Sequence, residues 1–335
     1  VADAPDAFAP SDAPRPDAPD APRPPRVVSC ADPAPAGADV ADPPPAYTGG
    51  TCPVLAAGRN TITSGGNTRE FILVLPTGID PSESLPVLFL WHWLGGSADG
   101  FLTRGDVQAG ADEARFIAVL PEAKGDLRLQ WPYVLIDSEA RIEEEAVFFD
   151  DMLSCVSQEF TTNLDCVSST GVSAGALWTP QLEQRRSRHL SSILVLSGGV
   201  GTSGDILNPI HPWMGAAHHM PAIVLWGGPS DWCGVDFNRL SGNLEDALVR
   251  DGHFFAECIH NCSHAEPPLI APPGMSQYAG LWRFALDHPF WLDDGESPYQ
   301  VTGLPSGMPT WCGIGPGSAT IRTGMCAGGA LGSCL

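Results

Sequence analysis

The pentapeptide Gly171-Val172-Ser173-Ala174-Gly175 is the segment whose residue types and spacing are best suited to chemistry. A β-prone run, residues 166–170, precedes it, and a helix-compatible run, residues 174–188, follows it. A serine flanked by glycines between a strand and a helix is typical of a nucleophile elbow, because the tight turn leaves no room for flanking side chains. The turn exposes the hydroxyl and points the helix N-terminus at the charge that develops on attack. The pattern predicts Ser173 as a nucleophile; the alternative is an ordinary glycine-rich turn.

A serine nucleophile needs a base to take its proton and an acid to orient that base. Around a nucleophile elbow, the chain order is serine, acid, histidine. Asp231 lies in the loop beyond a buried apolar strand and is the predicted acid, with Asp236 as second choice and a solvated turn residue as the alternative. His264 follows the last predicted strand and is the predicted base in preference to His260.

A zinc site is the rival hypothesis for the same segment. Cys258, His260, Cys262 and His264 occupy every second position, which on an extended strand would place four metal-competent side chains on one face. Known zinc ligands are usually spaced more widely and form two separate clusters. The serine mechanism is therefore preferred, and neither a metal nor another cofactor is expected.

An oxyanion hole requires two backbone N–H donors, one directly after the nucleophile and one from the loop after the third strand. Ala174 is predicted to supply the first donor. The second is expected from Leu94 or Trp93, which follow a buried strand. His92 precedes the serine in the chain, so it is predicted to organise this loop and not to act as the base.

Short β-rich runs alternate with helical patterns along most of the chain. Helices are predicted over residues 143–160 and 238–250. Strands are predicted over residues 69–75, 86–91, 116–120, 166–170, 192–196, 222–226 and 253–259. Repeated strand–helix–strand succession predicts an α/β fold, with a mostly parallel central sheet and helices on both faces.

Composition divides the chain into three zones. Residues 1–46 repeat Asp-Ala-Pro and are expected to form a disordered, extended leader or linker, acting either as a tether or as a passive segment. Residues 47–292 are expected to form the catalytic domain. Residues 293–335, rich in Gly, Pro and Cys, are expected to be an extension packed on that domain.

The charge balance excludes two classes of partner. The net charge of −22 over 335 residues argues against nucleic acid, which requires clustered Lys and Arg. The negative charge equally disfavours electrostatic binding to anionic membranes. No apolar run approaches the roughly 20 residues of a membrane-spanning helix. We expect a monomer whose partner is its substrate.

Ten cysteines indicate an oxidising compartment with disulfides. The chain begins Val-Ala-Asp without Met, so a removed signal peptide or a trimmed terminus is expected, and the protein is predicted to be secreted or held at the cell surface. Cys155 is expected to pair with Cys166. Cys233 is expected to bond Cys262 or, failing that, Cys258.

The motifs together resemble secreted α/β-hydrolase esterases, and above all the polyhydroxybutyrate depolymerases and their feruloyl-esterase relatives. The resemblance covers about residues 50–290 and is carried by these segments: 90–96 (LWHWLGG), 148–151 (FFDD), 171–175 (GVSAG), 227–231 (GGPSD) and 261–264 (NCSH). It implies the α/β-hydrolase fold, disulfide-stabilised here, ester hydrolysis, and Ser173, Asp231 and His264 as a catalytic triad. Asp150 and Asp151 match an acidic pair of the family and are expected either to be structural or to support site residues, but not to be catalytic.

The substrate is the least determined part of the hypothesis. The family usually has glycine where this chain has Trp93, which suggests an aromatic cleft wall. Exposed tryptophans suit aromatic rings, sugars or polyester chains; the candidates are Trp93, Trp131, Trp178, Trp213 and Trp232. The predicted substrates are polyesters, either polyhydroxyalkanoate or an aromatic type such as polyethylene terephthalate. The alternatives are a feruloyl or acetyl esterase acting on plant polysaccharide and, from other classes, a zinc hydrolase or a non-catalytic binding module.

Overall fold

The computed structural model describes residues 26–326. Residues 1–25 of the predicted leader and residues 327–335 of the predicted extension, with Cys334, lie outside the described residues. The described chain builds one nine-stranded sheet. Its strands are β1 (Gly58–Ser64), β2 (Asn67–Val74), β3 (Leu85–Trp91), β4 (Ile117–Pro121), β5 (Thr162–Val172), β6 (Ser192–Leu196), β7 (Ala222–Trp226), β8 (Phe255–Ile259) and β9 (Cys312–Ile314).

Helices cover both faces of the sheet. They are α1 (Ala98–Arg104), α2 (Val107–Ala114), α3 (Glu139–Glu159), α4 (Ala174–Arg186), α5 (Phe237–Asp251), α6 (Ala279–Leu286) and α7 (Tyr299–Thr302). Helices α3, α4 and α5 contribute to the core on one face, and α1, α2 and α6 to the core on the other. Within residues 26–326, none of these helices is long and apolar enough to cross a membrane.

The strand order explains where a site can form. The strands lie in the order β1-β2-β4-β3-β5-β6-β7-β8-β9. Strands β4, β3, β5, β6, β7 and β8 are parallel, while β1, β2 and β9 add antiparallel edges. Every residue of β3, β4, β6 and β7 is buried, as expected for parallel strands covered on both faces. The predicted α/β-hydrolase architecture is confirmed.

Buried apolar runs located the central strands well. The predicted bounds of β6 and β7 match the observed ones. Two edge strands were not predicted. Strand β1 alternates exposed and buried residues and is largely polar, and β9 has only three residues.

The disulfides differ from the predicted pairs. The described bonds are Cys30–Cys166, Cys52–Cys155, Cys258–Cys312 and Cys262–Cys326. The predicted Cys155–Cys166 bond is wrong, because each of the two bonds a cysteine 103 or 136 residues earlier in the chain. Cys233 is disulfide-bonded, but not to Cys262 or Cys258, because both have other partners.

The end of the predicted leader is attached to the domain, contrary to the expectation of an extended spacer up to residue 46. Cys30 bonds Cys166 within β5, the strand that leads to Ser173. Arg26 donates to Glu296 at 2.6 Å, and Arg188 donates to Asp39 at 2.5 Å. These bonds hold residues 26–46 against the domain although the segment forms no helix or strand.

Candidate active site

Ser173 lies in a strained turn between β5 and α4. Its backbone has φ 55° and ψ −115°, an uncommon conformation for a residue with a side chain. A Cβ on Gly171 would lie 2.1 Å from the carbonyl oxygen of Gly175, and a Cβ on Gly175 would lie 2.1 Å from that of Trp91. Both glycines are therefore required by close backbone packing, which is the physical basis of the GVSAG pattern.

A continuous chain of hydrogen bonds joins the three predicted triad residues. Ser173 Oγ lies 2.8 Å from His264 Nε2, and His264 Nδ1 lies 2.7 Å from Asp231 Oδ1. All three side chains are buried, and the ring of Phe237 stacks on the His264 imidazole with centroids 4.2 Å apart. A carboxylate bonded to Nδ1 keeps that nitrogen protonated, so Nε2 can accept the serine proton.

The second carboxylate oxygen of Asp231, Oδ2, accepts two further hydrogen bonds. Oδ2 accepts a hydrogen bond from the Gly227 N–H at 2.7 Å and another from the Ser197 hydroxyl at 2.8 Å. Sequence reasoning did not single out Ser197. Its only signal in the sequence is its place directly after the buried strand β6.

Four neighbouring strands bring these residues together. Ser173 follows β5 and Ser197 follows β6, while Asp231 and His264 lie in the loops after β7 and β8. Because these strands are adjacent and parallel, their carboxyl ends meet at one edge of the sheet. The linear order serine, acid, histidine becomes a spatial row along this edge.

The residues named as alternatives to the triad and as zinc ligands make other contacts. Asp236 caps α5 by accepting a hydrogen bond from the Arg239 N–H at 3.0 Å. His260 Nδ1 accepts from the Cys262 N–H at 3.1 Å, and burial lowers the pKa of His260 to about 4. The zinc arrangement is not formed, because Cys258 and Cys262 are both in disulfides and offer no thiolate.

Two of the predicted oxyanion donors, Ala174 and Leu94, line the cavity at Ser173. Ala174 is the first residue of α4, and the first N–H groups of a helix have no intrahelical acceptor. Leu94 lines the same cavity as Ser173 and Ala174, whereas Trp93 does not. Of the two predicted second donors, Leu94 is the one placed at the site.

Gln130 and Trp131 hold the loop that carries Leu94. Gln130 Oε1 accepts from the Gly95 N–H at 2.6 Å, and Trp131 Nε1 donates to the His92 carbonyl oxygen at 2.8 Å. His92 is fully buried, and its ring packs on Trp131 with centroids 4.9 Å apart. The position of His92 agrees with the loop-organising role expected from the sequence, while sequence reasoning missed Gln130.

A cavity of about 200 Å³ opens on Ser173. Its walls are mainly apolar and come from four loops and two helices: Leu94, Leu129, Tyr133, Val134, Ala174, Leu177, Pro209, Ile210, Cys233, Gly234, Val235 and Phe237. Besides Ser173, the lining residue whose side chain carries a polar group is Tyr133, with its phenol. Burial, with a smaller contribution from the Asp137 carboxylate, raises the pKa of Tyr133, so the phenol stays protonated and can donate.

Most of the predicted aromatic binding residues are core residues. Trp131 and Trp178 are fully buried, pack edge-on against Trp91 and do not line the cavity at Ser173, so the prediction that they contact substrate is wrong. Trp93 is buried against Phe101 and does not line the cavity at Ser173. Periodicity and position along the chain could not show which face of the loop each ring would occupy.

The two remaining tryptophans differ from each other. Trp213 is buried, and its Nε1 donates to Asp251 at 2.5 Å. Trp232 is 61% exposed beside Asp231. Of the predicted rings, Trp232 alone in the described chain presents a large area to solvent.

Asp150 and Asp151 make structural bonds. Asp150 accepts from Arg186 at 2.8 Å, which ties α3 to α4. Asp151 accepts from the Thr48 N–H at 2.7 Å. The pair is used in packing and is not directed at Ser173.

The strand order and this edge of the sheet define the α/β-hydrolase fold. The solved structure of native pOPH superposes with a TM-score of 0.61 at 17% identity, covering 82% of this chain and 99% of that one. No protein-family model matches the chain.

Among curated proteins, the chain is similar to feruloyl esterases. Feruloyl esterase C of Emericella nidulans is 26% identical over 181 residues, 53% of this chain and 63% of the relative. Feruloyl esterase D of Neurospora crassa is 26% identical over 156 residues, 44% of this chain and 52% of the relative. The chain thus spans between half and two thirds of the curated relatives it matches, and the resemblance stated from the sequence is confirmed.

Proposed function

We propose that the protein is a serine carboxylic-ester hydrolase that uses Ser173 as nucleophile, His264 as general base and Asp231 to orient the imidazole. The observation that carries this proposal is the hydrogen-bonded row Ser173–His264–Asp231 at the floor of a cavity. The similarity to curated feruloyl esterases supports it.

The geometry supports an acyl-enzyme mechanism. His264 Nε2 takes the proton of Ser173 Oγ as the oxygen attacks the ester carbonyl, and the N–H groups of Ala174 and Leu94 stabilise the resulting oxyanion. The imidazolium then gives its proton to the departing alcohol, leaving an acyl group on Ser173. Water, deprotonated by His264, attacks this acyl group, and the same steps in reverse order release the acid.

The cavity favours an ester with one discrete apolar acyl group. Its walls are aliphatic and aromatic, and its volume is close to that of a small substituted ring system with a short linker. The Tyr133 hydroxyl offers one donor to a polar substituent of that group. We therefore place hydroxycinnamoyl esters, such as feruloyl esters, first among the substrates.

A second candidate substrate is an insoluble polyester, favoured by the rim of the cavity. Leu135, Ile136, Ile206 and Leu207 are exposed and lie within three residues of the lining residues Val134 and Pro209. The two loops are joined by the hydrogen bond from the Leu135 N–H to the Pro209 carbonyl oxygen at 2.9 Å. An exposed apolar rim of this kind suits contact with a neutral polymer surface.

The test compares soluble and polymeric esters. The wild type should hydrolyse methyl ferulate and p-nitrophenyl butyrate with saturation. Ile206→Ser/Leu207→Ser should lower release from polyhydroxybutyrate or polyethylene terephthalate film without affecting soluble esters, whereas the equally exposed Val54→Ser should change neither. An equal loss of product release from film in the rim and control variants would rule out the polyester candidate. A wild type that hydrolyses none of these esters would overturn the proposed function.

The disulfides and the acidic surface also suit an extracellular enzyme, and we propose that location. We further propose that it acts as a monomer, because the described site draws all its residues from one chain. Sedimentation and secretion assays would test these two points.

A further inference from the structure

Ser197 occupies the one strand end between the nucleophile and the acid. Strand β6 lies between β5, which leads to Ser173, and β7, which leads to Asp231. The Ser197 N–H bonds the Leu225 carbonyl oxygen of β7 at 2.6 Å, which fixes its backbone beside the acid loop. Its side chain is 2% exposed.

The Ser197 hydroxyl is a donor to the acid. Its oxygen lies 2.8 Å from Asp231 Oδ2, and an ionised carboxylate can only accept, so the proton belongs to Ser197. The backbone at Ser197 has φ 51°, in the left-handed region that side chains seldom adopt. An uncommon backbone conformation that directs a buried hydroxyl at a site residue points to a functional role.

We propose that Ser197 is a positioning residue of the ester hydrolase, acting through Asp231 on the orientation and basicity of His264. This inference rests on the proposed function. With Gly227 N–H and Ser197 O–H both on Oδ2, the carboxylate cannot rotate, and Oδ1 stays on His264 Nδ1. Hydrogen bonds to a carboxylate also reduce its negative potential, so they limit how strongly it stabilises the imidazolium.

Loss of the hydroxyl therefore has a defined signature. In Ser197→Ala the imidazole is held less firmly, so kcat should fall about tenfold. The less-solvated carboxylate favours the imidazolium more, so the acid limb of the kcat/KM profile should move to higher pH by roughly half a unit to one unit. KM should stay within about twofold, because Ser197 is not among the residues that line the cavity.

Two further variants separate this role from a purely structural one. Ser197→Gly also removes the hydroxyl, but it suits the positive φ and relieves any backbone strain. Ser192→Ala removes a fully buried hydroxyl from the first residue of β6, at the opposite end of the strand from Ser197, where it bonds Ser168 Oγ at 2.8 Å. The Ser192 variant should lose thermal stability with an unchanged pH profile.

The experiment is a pH–rate study of the four proteins on p-nitrophenyl butyrate, with melting temperatures measured beside it. The proposal is supported if both Ser197 variants fold, have a lower kcat and show a shifted acid limb, and if Ser192→Ala keeps the acid limb of the wild type. It is overturned if their acid limbs coincide with that of the wild type, or if neither Ser197 variant folds. A wild type that is inactive, or a Ser173→Ala variant that stays active, would instead contradict the proposed function itself.

Discussion

The indole of Trp131 donates a hydrogen bond of 2.8 Å to the backbone carbonyl of His92, in the loop that also carries the proposed oxyanion donor Leu94. Trp131 is fully buried, so this bond is its main polar contact. A ring expected from the sequence to bind substrate instead supports the loop that would bind the oxyanion.

Trp131→Phe should therefore impair the chemical step. We expect kcat to fall about three- to tenfold with little change in KM, because a loosened loop stabilises the oxyanion less well. Trp178→Phe is the matched control: Trp178 is equally buried and packs edge-on against the same Trp91, but its Nε1 has no hydrogen-bond partner in the described chain. Steady-state kinetics with equal losses in both variants would show that general packing, and not the His92 bond, is responsible.

Tyr133→Phe should change substrate preference. Removing the phenol oxygen deletes the one polar side-chain group on the cavity wall besides Ser173. We expect kcat/KM to fall about five- to twentyfold for methyl ferulate and methyl p-coumarate, which carry a phenol, and to stay near the wild-type value for methyl cinnamate, which does not. An equal effect on all three esters would contradict a role for Tyr133 in recognising the acyl substituent.

Glu245 should make stability fall with rising pH. Burial, together with the charges of Glu257 and Asp246, raises the pKa of Glu245 in the folded protein to about 8. The unfolded chain releases this proton near the ordinary glutamate value, so the stabilisation is complete at low pH and is lost as pH rises through about 8. In thermal unfolding, the melting temperature of Glu245→Gln minus that of the wild type should increase from pH 5 to pH 9.

The exposed Glu159 at the end of α3 supplies the control for this experiment. Glu159→Gln makes the same chemical change where water already solvates the carboxylate, so its melting temperature should follow that of the wild type. A constant difference between Glu245→Gln and the wild type at all pH values would contradict the expected titration.

Short-range sequence patterns predicted the central strands and the loops that follow them. Strands β6 and β7 are short apolar runs between turn residues, and their predicted bounds match the observed ones. The GVSAG motif selected Ser173, and the chain order at the ends of parallel strands then selected Asp231 and His264. The structure brings Ser173 and His264, and His264 and Asp231, within hydrogen-bond distance.

What the sequence could not show depends on contacts between distant segments. The partners of Cys155 and Cys166 lie more than a hundred residues away, so spacing gave the wrong pair. The burial of Trp178 and the contact of Ser197 with Asp231 both depend on which way a side chain turns after a strand ends. Neither hydrophobic periodicity nor a motif contains that information.

Active-site labelling followed by peptide mass spectrometry is the sharpest test of the proposed covalent chemistry at Ser173. A serine-reactive fluorophosphonate should modify one residue, Ser173, and abolish ester hydrolysis in proportion to labelling. Ser173→Ala should take no label and lose roughly 10⁴- to 10⁶-fold in kcat, while His264→Ala should take label far more slowly. Labelling at another residue, or a Ser173→Ala variant that keeps substantial activity, would contradict the assignment of Ser173 as the nucleophile.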